Sequence, residues 1–120
     1  MYIELILINT EKKIYKKLIS NLRYVKIIYE RRFVMPEISR FLGIVITMYF
    51  NDHMPPHFHA EYNDQEAAFD IKTLSIIAGS LPPRITGFVV EWASQHQNEL
   101  MNNWEMLNSK GTFEKVPPLV

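Results

Sequence analysis

NDHMPPHFHAEYNDQEAAFDIK, residues 51–72, decides how this chain folds. From His57 to Tyr62 the side chains alternate. His57, His59 and Glu61 point one way, and Phe58, Ala60 and Tyr62 the other. Asn63-Asp64 suits a tight turn, because both residue types tolerate left-handed backbone. Glu66 to Lys72 alternates again, with Ala67, Phe69 and Ile71 on one face and Glu66, Ala68 and Asp70 on the other. A loop of Asn63-Asp64 pairs Tyr62 with Gln65. That register sets Glu61 opposite Glu66, His59 opposite Ala68 and His57 opposite Asp70. One face of the hairpin, Phe58, Ala60, Ala67 and Phe69, is then core. The other gathers His57, His59, Glu61 and Asp70. A slip of one residue would turn the histidines into the core, so the register is expected to be firm.

Upstream, residues 38–50 (ISRFLGIVITMYF) are rich in β-branched and aromatic residues and carry no helix cap, which predicts one strand. Both of its faces are apolar, so it is expected to be central or covered on both sides. Gly43 predicts a bulge or a close backbone approach. Asn51-Asp52 ends the strand, and Pro55-Pro56 holds the connection extended. Downstream, Leu74 to Ala78 predicts a short fourth strand ended by Gly79-Ser80. Pro82-Pro83 is a helix-start signal. Ile85, Phe88, Val89, Trp92, His96, Leu100, Trp104 and Leu107 then repeat at helical spacing. They predict one long helix or two shorter ones broken near Gln95 to Asn98, closed by Lys110-Gly111. The fold expected is α+β: an antiparallel β-meander of three to four strands followed by one long or two shorter C-terminal helices. Residues 35–110 form the domain in this reading, and residues 111–120 an extended tail.

The 120 residues suffice for one domain plus a short appendage. With no cysteine, disulfides, thiolate zinc sites and a thiol nucleophile are all excluded. No apolar run reaches the length of a membrane span, and MYIELILI lacks the features of a signal peptide, so the cytoplasm is the expected location. The charges are segregated. Lys12, Lys13, Lys16, Lys17, Arg23, Lys26, Arg31 and Arg32 make residues 1–34 basic, whereas acidic residues dominate after Met35. An acidic body is a poor non-specific nucleic-acid binder. Residues 1–34 predict a strand from Tyr2 to Ile8 and a helix capped at Thr10. Met35-Pro36 resembles a natural start of translation, so these residues read as an upstream extension that packs poorly on the domain.

From Met35 onward the chain resembles a small prokaryotic family, the domain of unknown function four-one-six-zero (DUF). The likeness is carried by MPEISRFLGIVITMYFNDHMPPHFHAEYND, by LPPRITGFVVEW, and by His96, Glu99-Leu100 and Asn103-Trp104. It covers residues 35–110. The resemblance implies a small cytoplasmic α+β protein. It also implies a partner, a small protein encoded by a neighbouring gene, in a toxin–antitoxin-like pair.

Three readings of the histidine face follow. As a divalent metal site suited to zinc, nickel or iron, His57 and His59 would share one ion, with His53, Asp70 or Glu61 completing the set. As an acid–base site for hydrolysis or RNA cleavage, His57 and His59 would move protons, Asp70 would orient His57, and Arg40 or Arg84 would hold a phosphate. As a binding surface, histidine and aromatic side chains would grip a protein partner. The third is the leading reading. Trp92, His96 and Trp104 lie on the apolar helix stripe and read first as core. No serine sits in a glycine elbow, and there is no phosphate-binding glycine loop.

Overall fold

Gly43 is a turn residue. Leu42 and Gly43 both have positive φ, 52° and 78°, the backbone of a two-residue hairpin loop whose twist matches its flanking strands. The apolar run 38–50 is therefore cut in two. In the computed structural model, which describes residues 36–120, β1 spans Glu37–Phe41 and β2 spans Ile44–Thr47. The sheet has five strands where the sequence predicts three to four. Leucine rarely takes a left-handed conformation, so the pair Leu42-Gly43 gave only half of a turn signal. The readings of residues 1–34 lie outside the described residues.

The remaining strands are β3, His57–Tyr62, β4, Gln65–Asp70, and β5, Ile76–Gly79. The sheet order is β1-β2-β3-β4-β5, and each neighbouring pair is antiparallel. The central hairpin has the register derived from its alternation: Tyr62 faces Gln65, Glu61 faces Glu66, His59 faces Ala68 and His57 faces Asp70. Asn63 takes φ 53° in the turn.

Two helices follow, α1 (Pro83–Ser94) and α2 (Gln97–Ser109). They break at Gln95-His96, inside the interval where the helical pattern is interrupted. Ile38, Ile44, Ile46, Met48, Phe58 and Phe69 from the sheet join Val89, Trp92, Leu100 and Leu107 from the helices in one buried cluster. Trp92 is its hub, with ring centroids 5.4 Å from Phe41 and 5.9 Å from Phe58. Each such side chain, fully withdrawn from water, contributes about 1.5–3 kcal/mol.

Residues after Gly111 carry no helix or strand, yet they are held. Val116 is buried, and its N–H donates to the Ile38 carbonyl, so the tail lies along the outer edge of β1. Trp92 donates to the Pro117 carbonyl at 2.8 Å. Asn103 exchanges two 2.8 Å hydrogen bonds with the Glu114 backbone. The outer edge of β5 is different: no strand of the described residues pairs there, and all four of its residues are exposed.

Candidate functional site

The β2–β3 connection folds back over the histidine face. Asn51 turns the chain with φ 50°, a conformation asparagine tolerates. This brings the Asp52 carboxylate over β3. Asp52 Oδ1 accepts the His53 backbone N–H at 2.8 Å. Asp52 Oδ2 lies 3.0 Å from His57 Nε2 and 3.7 Å from His59 Nε2. Both imidazoles are buried, at 2% and 6% exposure. The Tyr49 ring closes over His59 at 4.5 Å, and the Trp104 ring over His57 at 5.2 Å.

The two rings are oriented by acceptors at their other nitrogen. His57 Nδ1–H donates to the Pro55 carbonyl at 2.6 Å. His59 Nδ1–H donates to Glu66 Oε2 at 3.0 Å. A carbonyl or carboxylate oxygen can only accept, so both Nδ1 atoms carry a proton. Both Nε2 atoms therefore turn toward Asp52, and His59 Nε2 is buried without a hydrogen-bond partner.

The electrostatics follow from this packing. Burial opposes charge on Asp52. The adjacent His57 and His59 imidazoles and the hydrogen bond from the His53 backbone N–H outweigh it and hold the carboxyl far below its ordinary range. Burial likewise opposes charge on His59, but Asp52 and Glu66 outweigh it and raise its pKa. Burial first, then the charges of Glu66, Asp52 and Glu61, push the Tyr49 phenol up, so it stays neutral.

Of the residues singled out from the sequence, His57 and His59 stand together on the face their alternation predicts. Asp70 lies opposite His57 in the ladder, but its Oδ1 accepts the Lys72 and Thr73 backbone N–H groups at 2.7 and 3.0 Å and shapes the turn after β4. Arg40 is exposed and paired with Glu37 at 2.8 Å. Arg84 lies over the Phe88 ring at 5.5 Å. His53 has an exposed ring that stacks on His57 at 5.3 Å, and its Nε2 is 3.6 Å from Asp52 Oδ1. His96 donates to Glu99 Oε1 at 2.5 Å and packs beside Trp92.

Sequence reasoning missed Asp52 and Glu66. In the sequence Asp52 reads only as the end of a strand, although it sits within the unusual NDHMPPHFH string. Glu66 was within reach of the register itself: it lies diagonally across the ladder from His59, a separation long side chains bridge.

A family model described as Domain of unknown function (DUF4160) matches residues 43–105. The chain belongs to this family. The DUF4160 match takes in Asp52, His57, His59, Glu66 and both helices up to Glu105, and it leaves Arg40 outside. No curated protein and no solved structure matches the chain. No helix of the described residues is long and apolar enough to cross a membrane.

Proposed function

We propose that this DUF4160 chain is one member of a two-protein, toxin–antitoxin-like module in the prokaryotic cytoplasm, acting by binding the small protein encoded by the neighbouring gene. The observation that carries this reading is the open edge of β5. Ile76 and Ile77 are 38% and 42% exposed there, beside a strand edge that no described strand covers. An exposed apolar edge strand is a template for another chain unless it is covered or charged. The β1 edge, by contrast, carries the chain's own tail. The occupant that fits β5 is an extended apolar segment of the partner, added as a sixth strand by main-chain hydrogen bonds. The test is co-purification of the full chain with the product of the neighbouring gene. Ile77→Lys should abolish it, whereas Arg84→Ala should not. Equal recovery of the partner by wild type and Ile77→Lys would refute this docking mode.

A second reading, a histidine-dependent hydrolase or ribonuclease, is favoured by the contact between Asp52 and the buried His57. A carboxylate beside an imidazole can orient it and stabilise its charged form during proton transfer. Ribonuclease chemistry fits less well than hydrolysis of an uncharged substrate. Arg40 and Arg84 are engaged with Glu37 and Phe88, and the cluster is flanked by Glu61 and Glu66. Asp52→Asn should abolish any such activity. Full hydrolysis by that variant would refute this role.

A further inference from the structure

We propose that Asp52, His57 and His59 form a mononuclear site for a divalent first-row metal ion, with Asp52 Oδ2, His57 Nε2 and His59 Nε2 as ligands. The site stands independently of partner binding at β5.

Its first support is the pairing of lone pairs. Both imidazoles spend their Nδ1 proton on an obligate acceptor, Pro55 O and Glu66 Oε2. In the neutral ring, Nε2 then presents a lone pair, and both lone pairs face a carboxylate oxygen. Acceptors converging in a buried space repel one another unless something positive lies between them. Protons on the Nε2 atoms can relieve these contacts only by charging one or both buried imidazoles, whereas His59 Nε2 makes no hydrogen bond as it stands. One cation satisfies all three atoms.

The second support is distance. Zinc bonds to imidazole nitrogen and carboxylate oxygen of about 2.0–2.1 Å, at tetrahedral angles, put the ligand atoms roughly 3.3 Å apart. The contacts of 3.0 and 3.7 Å to Asp52 Oδ2 bracket that value, and the three atoms all lie within 4.8 Å of one another.

The third support is the outer layer. Metal-ligating histidines characteristically donate their second N–H to a backbone carbonyl or a carboxylate, which fixes the tautomer. His57 and His59 have one of each.

His53 is outside the set: its ring is exposed, it faces the other Asp52 oxygen at 3.6 Å, and its own Nδ1 lies 3.1 Å from the Met54 carbonyl. The donor set, two imidazoles and one carboxylate, suits zinc and iron(II). Three protein ligands are one fewer than a closed structural zinc site uses, which leaves room for water or a substrate oxygen at the metal.

The test uses the full chain, stripped with chelator and titrated with zinc chloride by calorimetry. One equivalent should bind, and Asp52→Asn and His57→Gln should each weaken binding at least tenfold, while His53→Ala binds as wild type does. Because a ligand variant can misfold, the ring nitrogens of the wild-type protein are followed in parallel by nitrogen-15 NMR. Zinc should shift His57 and His59 Nε2 and leave both Nδ1 atoms protonated. No zinc uptake by wild type, undiminished uptake by both ligand variants, or shifts confined to His53 and His96 would each overturn the assignment.

Discussion

Asp52 and His59 carry opposite pH dependences. The folded-state pKa of Asp52 is depressed, so its contribution to stability is present above the unfolded value near ~3.9 and is lost as pH falls. That of His59 is raised, so its contribution is complete below about 6.5 and is lost as pH rises through the folded value. The groups facing His59 are Asp52 and Glu66, its neighbours Tyr49 and His57, and more distantly Glu61. In chelator-treated protein the melting temperature should therefore drop below about pH 4 and decline again above about pH 6.5. Zinc should reverse the upper slope, because imidazoles must lose their Nε2 proton to ligate. Melting curves from about pH 2 to 9, with chelator and with zinc, check both limbs. A metal-free protein whose stability rises from pH 6.5 to 8.5 would contradict the environment assigned to His59. At this scale the sequence revealed the two histidines, since alternation alone sets them on one face. It concealed Asp52, which reaches them through a left-handed turn at Asn51 in an irregular connection. No periodicity reports on such a residue.

Periodicity sets how well each element can be read. The β3–β4 hairpin was legible pair by pair, because a two-residue loop between two alternating strands admits one register. The β1–β2 hairpin was not, because an apolar run on both sides of Leu42-Gly43 looks continuous. Gly79 is the more demanding glycine of the sheet. It closes β5 at φ +74°, and a Cβ built there would lie 2.1 Å from the Glu66 carbonyl oxygen. That oxygen also accepts the Ser80 N–H, and the Glu66 side chain holds His59. Gly79→Ala should thus cost about 2 kcal/mol or more through backbone strain and also weaken zinc binding. Gly87, inside α1, is its counterpart, with nothing within 4 Å of an added Cβ. Gly87→Ala should stabilise by about 0.5–1 kcal/mol, since glycine is the poorer helix former. Denaturant unfolding of the two variants checks both signs. Stability unchanged in Gly79→Ala would mean that β5 can move away from Glu66.

For the molecule as a whole, the two ends of the chain should behave unlike each other. The C-terminal tail carries no regular structure, yet it is tied to three elements. Val116 is buried against β1, Pro117 accepts from Trp92 of α1, and Glu114 is clamped by Asn103 of α2. Asn103 is itself 1% exposed, so removing its partner leaves two polar atoms unsatisfied, at about 1–3 kcal/mol each. Losing Val116 adds about 1.5 kcal/mol or more. Deleting residues 112–120 should therefore destabilise the protein by at least about 3 kcal/mol and uncover the β1 edge, so that the shortened chain self-associates. Residues 1–34 differ from the body in composition and charge, and the family likeness begins after them. A chain starting at Met35 should melt close to the temperature of the full chain and bind zinc equally. Calorimetric melting of the two truncations, with sedimentation to follow association, decides the matter. A large loss of melting temperature on removing residues 1–34 would make that segment an integral part of the fold. A tail deletion without effect would show that Trp92 and Asn103 find other partners.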